Sequence, residues 1–305
     1  MEGHLSNEIT TAMVDTYNTG IEMLAQQMMS KLRSRVREES KTGKRNAFDQ
    51  LGSVKARKVT TRHGDTQYNE SPHRRRWVRT STFEVADLLD KEDLIRILND
   101  PGGEYATNFL SALNREIDTE VIAQAIGTAF VGEEGTETQD LPAAQKIADG
   151  GTGFTLPKVR EAMRKLKAGN VLEDGTMDLT IAWTSFQEDE FLDTTEVKSV
   201  DFNTQRVLVS GNMDGQFYGF EYVRLEDWTD DETGTLYRIL PKAATVRTCV
   251  AWRKDGLLLN MPAAPRVLAD RLPGKRYSWQ FYGWADFGAT RMQEKKVVQI
   301  DVQEA

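Results

Sequence analysis

The sequence predicts an α+β fold: first a helix and a hairpin, then a long helix, and then a mixture of strands and short helices. Stretch 101–130 repeats apolar residues four apart, which is the spacing of a helix face that packs on a core. Stretches 243–252 and 295–303 alternate apolar and polar residues, which is the period of a half-buried strand. No internal repeat is visible, and this order of elements is typical of the α+β class.

Two elements are predicted before residue 84. Apolar residues recur every three or four positions in 13–36, which predicts an amphipathic helix. Residues 54–83 read as two strand-like arms around a tip rich in Gly, Asp, Asn and Pro, which predicts a long β-hairpin. Neither face of this hairpin carries enough apolar area for a core, and a lone two-stranded hairpin is at best marginally stable in water. We therefore expect the hairpin to lie against something else.

Shorter elements follow. Thr155 and Pro157 predict the start of a helix that ends at Gly169, and the glycine-rich, acidic stretch 131–154 predicts a loop. The remaining predictions are a strand and a helical piece in 82–100, a strand in 178–185, a helix in 186–193 and two strands around a glycine turn in 205–225.

The composition limits the class of protein. The chain has 305 residues, of which 39% are hydrophobic and 28% are charged, as in soluble globular proteins. No apolar run approaches the ~18–20 residues that cross a bilayer, and the first ten residues carry no secretory signal. Cys249, the single cysteine, cannot form an internal disulfide, and its alternating surroundings predict a buried, inert thiol in a strand.

The charge is distributed unevenly. Between Lys31 and Thr80 there are fifteen Lys and Arg against five Asp and Glu, so this segment carries +10. Because the whole chain carries -8, the remainder carries -18. A basic segment on an acidic body can bind nucleic acid, or it can bind the acidic body of another copy of itself.

The residue patterns that support catalysis are missing from the sequence. There is no phosphate-binding glycine loop with its lysine, no HExxH, no CxxC and no nucleophile elbow. His63, Asp65 and His73 could approach one another across the hairpin tip, but nothing fixes their register, so no metal site is expected. We expect neither a catalytic residue nor a cofactor.

The basic stretch Arg74–Trp77 leaves two alternatives open. Arginine binds phosphate and tryptophan stacks on bases, which would suit a nucleic-acid-binding protein. The acidic remainder of the chain and the lack of a recognisable nucleic-acid-binding module favour a contact between protein subunits.

Three segments of the sequence carry a resemblance to a known family. They are QQMMSKLRSRV (26–36), FDQLGSVKARKVTTRHGDT (48–66) and the run from HRRRWVRTSTFEVADLL into the long helix (73–129). In these segments the chain resembles the major capsid proteins of tailed phages, which have the Hong Kong 97-type fold. The similarity is strongest over 26–129, and GFEYVRLED, CVAWRKDGLLL and GATRMQEKKVVQIDV also resemble later segments of that family.

The resemblance implies a division of the chain. Residues 1–50 would form an N-terminal arm, 51–82 an extended loop over a neighbouring subunit, and 83–153 a peripheral domain with a spine helix at 101–130. Residues 154–252 would form the axial domain, and 253–305 would return to the peripheral domain. Self-assembly would explain both the hairpin without a core and the split charge.

The resemblance also implies the function and the partners. The protein would assemble as pentamers and hexamers into the icosahedral head shell around a double-stranded DNA genome, which it would contact non-specifically. It would be made in the host bacterial cytoplasm and end in the virion, without membrane contact. About fifty residues precede the hairpin, too few for a fused scaffolding domain, so a separate scaffolding protein is expected, together with a portal protein and a decoration protein. Covalent cross-linking is not expected.

Two sets of residues are predicted to meet between subunits. The extended loop contributes Arg62, His63, Asp65, His73, Arg74, Arg75, Arg76 and Trp77. By charge density, the acidic partner surface consists of Glu188, Asp189 and Glu190, with Asp227, Asp230, Asp231 and Glu232.

Overall fold

The computed structural model describes residues 25–60, 62, 65–66, 68–89, 102–193 and 216–304. Over these ranges the chain forms three α-helices and seventeen β-strands, which confirms the α+β class. The helices are α1 (Gly102–Ile126), α2 (Leu156–Ala168) and α3 (Ser185–Leu192). The strands are β1 (Arg37–Glu39), β2 (Arg45–Leu51), β3 (His73–Arg79), β4 (Ser81–Leu89), β5 (Ala129–Val131), β6 (Glu137–Gln139), β7 (Lys146–Ile147), β8 (Leu179–Trp183), β9 (Gln216–Phe217), β10 (Phe220–Arg224), β11 (Trp228–Thr229), β12 (Leu236–Tyr237), β13 (Lys242–Ala243), β14 (Val246–Arg253), β15 (Leu257–Leu272), β16 (Ser278–Arg291) and β17 (Val297–Gln303).

The largest sheet lies between two hydrophobic cores. Its strand order is β7-β17-β14-β8-β10-β9, and β13 pairs with the start of β14. Strand β8 is buried at every position, because a sheet covered on both faces favours a continuous apolar run over alternation. On one face Val159, Met163 and Leu166 of α2 pack in a cluster that includes Ile181 and Ala251. Helix α1 covers the other face.

Helix α1 follows the predicted period. Every fourth residue from Phe109 to Ala125 is buried. The helix ends at Ile126, before the predicted position 130, because Gly127 leads the chain into β5. The buried Arg291 guanidinium donates hydrogen bonds to the carbonyls of Ala125 and Gly127, at 2.9 and 2.7 Å. These donors satisfy acceptors that the end of a helix leaves without partners.

A second sheet has the order β1-β15-β16-β4. Strands β15 and β16 pair over most of their length, with register shifts on either side of Ala263. The first half of α1 packs on this sheet through Phe109, which contacts Phe281 and Leu89. Gly283 permits the close approach of α1, because a Cβ there would lie 3.4 Å from Cβ of Phe109, and it would also lie 3.0 Å from a methyl group of Val85.

A third sheet, β2-β3-β5-β6, corrects the predicted hairpin. Strand β3 pairs with β2 from Arg45↔Arg79 to Leu51↔His73, so the first arm precedes the predicted one and residues 52–60 form no strand. The physical reason is Phe48, which is buried in a cluster with Val78, Leu258 and Met292. No comparable apolar residue is buried between 52 and 60. Strand β3 also pairs with β5, so the strands do not form a lone hairpin.

The predicted N-terminal helix needs a second correction. Positions 13–24 lie outside the described residues. From residue 25 to 36 the chain is irregular, apart from one 3-10 turn at Arg33–Arg35, and it then enters β1. Leu32 and Val36 do reach the core, but they do so from an irregular segment held by polar contacts with α1.

Some of the remaining predictions are confirmed, and others are wrong or lie outside the described residues. Helices α2 and α3 and strands β8, β14 and β17 form where the sequence predicts them, and Cys249 is buried in β14. Stretch 131–154 is more ordered than the predicted loop, since it contains β6 and β7. Strand β17 pairs with β14 and β7 in the largest sheet, and the division of the chain into peripheral and axial domains stays a prediction. The helical piece predicted before residue 101 and the first strand of 205–225 lie outside the described residues.

Candidate subunit-contact surface

The contact loop, residues 52–72, leaves the body between β2 and β3. Its neck is closed where the Gly52 amide donates a hydrogen bond to the Pro72 carbonyl at 2.8 Å. A Cβ at Gly52 would lie 2.6 Å from Cγ of Pro72, so the narrow neck requires glycine. Between 53 and 72, every residue that the structure describes is exposed.

Large apolar side chains at the start of the contact loop and within it face solvent. Val59 and Tyr68 are 85% and 87% exposed, and Leu51 and Val54 are also exposed. Four large apolar side chains are exposed between positions 51 and 68, and a large exposed apolar surface is typical of protein contact sites. The described loop also carries Lys55 and other basic residues, so it combines apolar and positive character.

The predicted loop residues occupy two different environments. Arg62 and Asp65 are exposed in the contact loop, and His73 and Arg74 are exposed at the start of β3, whereas His63 lies outside the described residues. Across the described ranges, no group of three His, Cys, Asp or Glu side chains is arranged to hold a metal ion.

Arg75, Arg76 and Trp77 lie at the base of the loop and bind within their own subunit. The Arg75 guanidinium pairs with Asp49 of β2 at 2.6 Å. Trp77 donates its indole N–H to the Gly132 carbonyl at 2.9 Å, and Arg45 lies 4.9 Å from the centroid of its ring. The indole face is therefore already occupied.

Arg76 is buried within its own subunit, although the sequence predicts it at a contact between subunits. Its side chain is 4% exposed, and its guanidinium Nη2 lies 2.6 and 2.7 Å from the two carboxylate oxygens of Glu294. Arg291 approaches the same carboxylate at 3.8 Å, and burial lowers the pKa of Arg291. Two buried cations thus share one anion, so the negative charge of Glu294 is essential to this part of the fold.

Of the acidic residues in α3, one is exposed and two contact their own subunit. Asp189 is exposed. Glu188 lies 3.5 Å from Arg224, and Glu190 accepts the backbone N–H of Phe154 at 2.9 Å. Asp189 is therefore the member of this group that best fits a role as an external partner.

The second acidic cluster surrounds the β11–β12 hairpin, and it too contains both carboxylates that bind within the subunit and carboxylates that are exposed. Asp227 accepts two hydrogen bonds from Arg247, at 2.7 and 2.8 Å. Asp230 closes the turn by accepting the Thr233 hydroxyl at 2.6 Å, and this bond lowers the pKa of Asp230. Asp231 and Glu232 are exposed at the tip.

Arg247 sits at the centre of a buried network. It also binds Glu304 at 2.7 Å, and Glu304 accepts Lys242 at 2.8 Å. Burial acts to lower the pKa of Arg247, but the hydrogen bonds to Asp227 and Glu304 outweigh it and raise the pKa. The hydrogen bond from Arg247, with that from Lys242, lowers the pKa of Glu304 to about 2. This network ties β17 to β13 and β14.

The sequence did not reveal how the arm segment, residues 25–36, is held. Asp118 of α1 accepts four hydrogen bonds from it: the Gln27 amide, the Ser30 hydroxyl and the backbone N–H groups of Lys31 and Leu32, at 2.5–3.0 Å. Burial raises the pKa of Asp118, while these hydrogen bonds act in the opposite direction.

Arg115 and the start of β10 hold the arm segment from two further sides. The Arg115 guanidinium donates to Gln26 at 2.7 Å and lies 4.5 Å from the ring centroid of Trp228. Arg35, on the far side of the arm segment, forms an ion pair with Glu221. Because each contact joins residues far apart in sequence, local periodicity gives no sign of them.

Comparisons with known proteins support the resemblance in the sequence. A family model described as phage capsid protein matches residues 9–304. No curated protein matches the chain. Among solved structures, the capsid of the cyanophage P-SCSP1u matches with a TM-score of 0.68 at 14% identity, covering 97% of this chain and 94% of its own.

Two further structures have the same fold. The capsid of cyanophage Pam1 gives a TM-score of 0.67 at 10% identity, covering 95% of this chain and 96% of its own. The capsid of the Helicobacter pylori bacteriophage KHP30 gives 0.66 at 12% identity, covering 99% and 100%. At these identities the likeness concerns the fold, whereas the family model covers nearly the whole sequence. No helix that the structure describes is both long and apolar enough to span a membrane.

Proposed function

The chain belongs to the phage capsid protein family, and from this premise we propose that the contact loop joins its copies during assembly. As a major capsid protein, the chain associates with copies of itself to form the icosahedral head shell and is a component of the virion. Its family indicates a structural role.

The observation that carries the proposal is the exposure of the contact loop. The contact loop spans 21 residues, and its described side chains from 53 to 72, including Val59 and Tyr68, are exposed and so gain little burial energy in their own subunit. Burying an apolar side chain of this size contributes about 1.5–3 kcal/mol, so a neighbouring subunit that covers both would contribute several kcal/mol per contact. The neck at Gly52 and Pro72 and the sheet below it give the loop a fixed base.

The polar part of the contact follows from which charges are exposed. Arg62 and Arg74 face solvent on the basic side, and Asp189, Asp231 and Glu232 face solvent on the acidic side. We propose that these residues meet between neighbouring subunits of pentamers and hexamers. Each exposed ion pair contributes at most ~1 kcal/mol, but the contribution repeats at every copy of the interface.

The remaining partners are proposed from the resemblance to the capsid family. We expect a separate scaffolding protein, a portal protein and a decoration protein to bind the shell, and assembly to take place in the host bacterial cytoplasm. The packaged double-stranded DNA would be contacted without sequence preference. A dedicated nucleic-acid grip is disfavoured, because Arg76 is paired with Glu294 and the ring of Trp77 is covered by Arg45.

The test replaces residues 53–71 by an Asn-Gly turn, which suits a two-residue hairpin connection. We expect a soluble subunit with unchanged thermal unfolding and no shells by electron microscopy after co-expression with scaffolding protein. A matched variant with Val59→Ser and Tyr68→Ser keeps the loop length and should reduce the yield of shells. Normal shells from both variants would refute the proposed role of the contact loop, and a failure to fold would show that the loop supports its own subunit.

A further inference from the structure

Beyond β1, the sheet β1-β15-β16-β4 continues as three strands, and within the described residues both of its edges are open. In the described chain, β1 pairs with β15 only at Leu258, Leu259 and Asn260, so residues 266–272 of β15 form one edge. Strand β4 forms the other edge, and it pairs with β16 from Ser81 to Leu89. Open edges present unpaired backbone groups to any neighbouring strand.

The two edges differ in how well they are protected against pairing. Natural edge strands carry proline, lysine or bulges that block association. Strand β15 has Pro262 and Pro265 next to its register shifts, but it has no proline from Arg266 to Leu272. Strand β4 reads STFEVADLL, with no proline, lysine or glycine. An edge without proline, lysine or glycine can accept another strand if that strand carries charges opposite to those of the edge.

The charges on the two edges are opposite. The β15 edge and the turn after it carry four exposed cations and one exposed anion, which are Arg266, Arg271, Lys275, Arg276 and Asp270. The β4 edge carries the exposed anions Glu84 and Asp87 and no cation. One edge is therefore basic and the other acidic.

Each edge also presents one exposed leucine, and both leucines lie on the same face. Leu268 pairs with Tyr282, which pairs with Ala86, and Leu88 follows Ala86 by two residues. Directly paired residues share a face, and so do residues two apart in a strand. Leu268 is 59% exposed and Leu88 is 44% exposed.

We propose that the β15 edge of one copy docks on the β4 edge of the next copy, head to tail, with the two leucines on the same side of the joint. This inference rests on the proposed function only in that the partner is a second copy of the chain. A contact between two different surfaces of the same protein repeats from copy to copy and closes into a ring when the rotation permits. In this arrangement the sheet continues across the joint, and opposite charges meet.

The contact cannot form within one subunit. Strand β16 separates β15 from β4, so the two edges are about 9–10 Å apart, which is twice the spacing of neighbouring strands. A disulfide requires Cα atoms less than about 7 Å apart. Cysteines at positions 88 and 268 can therefore be joined only between copies, and the buried Cys249 does not interfere.

The first experiment reverses the charge of one edge at a time. Arg266→Glu with Lys275→Glu, and separately Glu84→Lys with Asp87→Lys, should each lower the yield of shells about tenfold or more. The four changes combined should restore shells, because each edge then meets its opposite again. The control is Arg160→Glu on α2, which is exposed and far from both edges in the sequence. Reversals that assemble like this control overturn the inference.

The second experiment uses shells of the double variant Leu88→Cys and Leu268→Cys under mild oxidation. A non-reducing gel should show a ladder of multimers, while each single variant stays monomeric and a mixture of the two gives dimers. A missing ladder, or dimers from a single variant, overturns the head-to-tail contact. Wild-type protein that forms no shells in parallel would count against the proposed function instead.

Discussion

Removing the carboxylate of Asp118 should release the arm segment from α1. Asp118→Ala deletes the acceptor for the backbone N–H groups of Lys31 and Leu32 and for two side chains, Gln27 and Ser30. Asp118 and Leu32 are fully buried, so in the variant the four donors of the arm segment either stay unpaired or return to water when the arm segment lifts off.

The magnitude follows from the hydrogen bonds and from the cost of burial. A hydrogen bond to a charged group contributes about 1.5–3 kcal/mol, and four that share one carboxylate add less than their sum. Burial of the carboxylate offsets part of the gain, as the raised pKa of Asp118 indicates. We expect the free energy of detaching the arm segment from α1 to fall by about 2–4 kcal/mol.

Hydrogen exchange measures this loss at the residues concerned. A loss of about 2 kcal/mol corresponds to ~30-fold faster exchange, so the amides of Lys31 and Leu32 should exchange at least that much faster in Asp118→Ala. The control is Glu116→Ala, which removes a half-buried carboxylate from the same helix without removing an acceptor of the arm segment. Protection of Lys31 and Leu32 within about threefold of wild type in Asp118→Ala would refute the reasoning.

Three further predictions concern the interior. Arg76→Glu should destabilise the subunit by about 3–5 kcal/mol in chemical denaturation, because it places a buried anion against Glu294. The control Arg74→Glu should change stability by less than about 0.5 kcal/mol, and equal effects of the two variants would contradict the burial of Arg76. The pKa of Glu304 is lowered to about 2 in the folded chain, so its ionised carboxylate contributes stability that is present above the ordinary pKa and is lost as pH falls from about 5 to 2. Glu304→Gln should therefore flatten the pH dependence of stability over that range, and an unchanged profile would refute this prediction. Cys249, whose pKa is raised by burial, should react with a thiol reagent only at the rate of unfolding, and rapid labelling of the native protein would contradict its burial.

The sequence predicted those parts of the fold that depend on local periodicity. The buried face of α1 follows from its four-residue spacing, and β14 and β17 follow from alternation, because one face of a regular element must meet the core. The first arm of the hairpin was misplaced because its position depends on contacts between residues far apart in the sequence. Phe48 selects β2 as the partner of β3 by packing on Leu258 and Met292, which lie more than two hundred positions away in the sequence.

Charge counting predicted the candidate surface only in part. It found the basic segment and the acidic clusters, but not which charges pair within the subunit. Arg76 reads in the sequence like Arg74, yet its neighbour in space is Glu294 and the neighbour of Arg74 is solvent. Alternation along β3 does not distinguish them, because Arg74, Arg76 and Val78 are two residues apart and share a face. Telling them apart requires knowing where along β3 that face becomes covered.

The place of β17 in the largest sheet determines the order in which a growing chain can fold. Strand β7, at positions 146–147, has its sheet partner in β17 at positions 299–300, and β17 also fills the place between β7 and β14. Glu304, just after β17, supplies the anion for Arg247. A chain that stops short of these residues therefore has an open sheet, and Arg247 keeps only Asp227 as a carboxylate partner. Because β17 completes this sheet, the strands before it reach their final arrangement only after β17 has been synthesised, and we expect chains without β17 not to enter the shell.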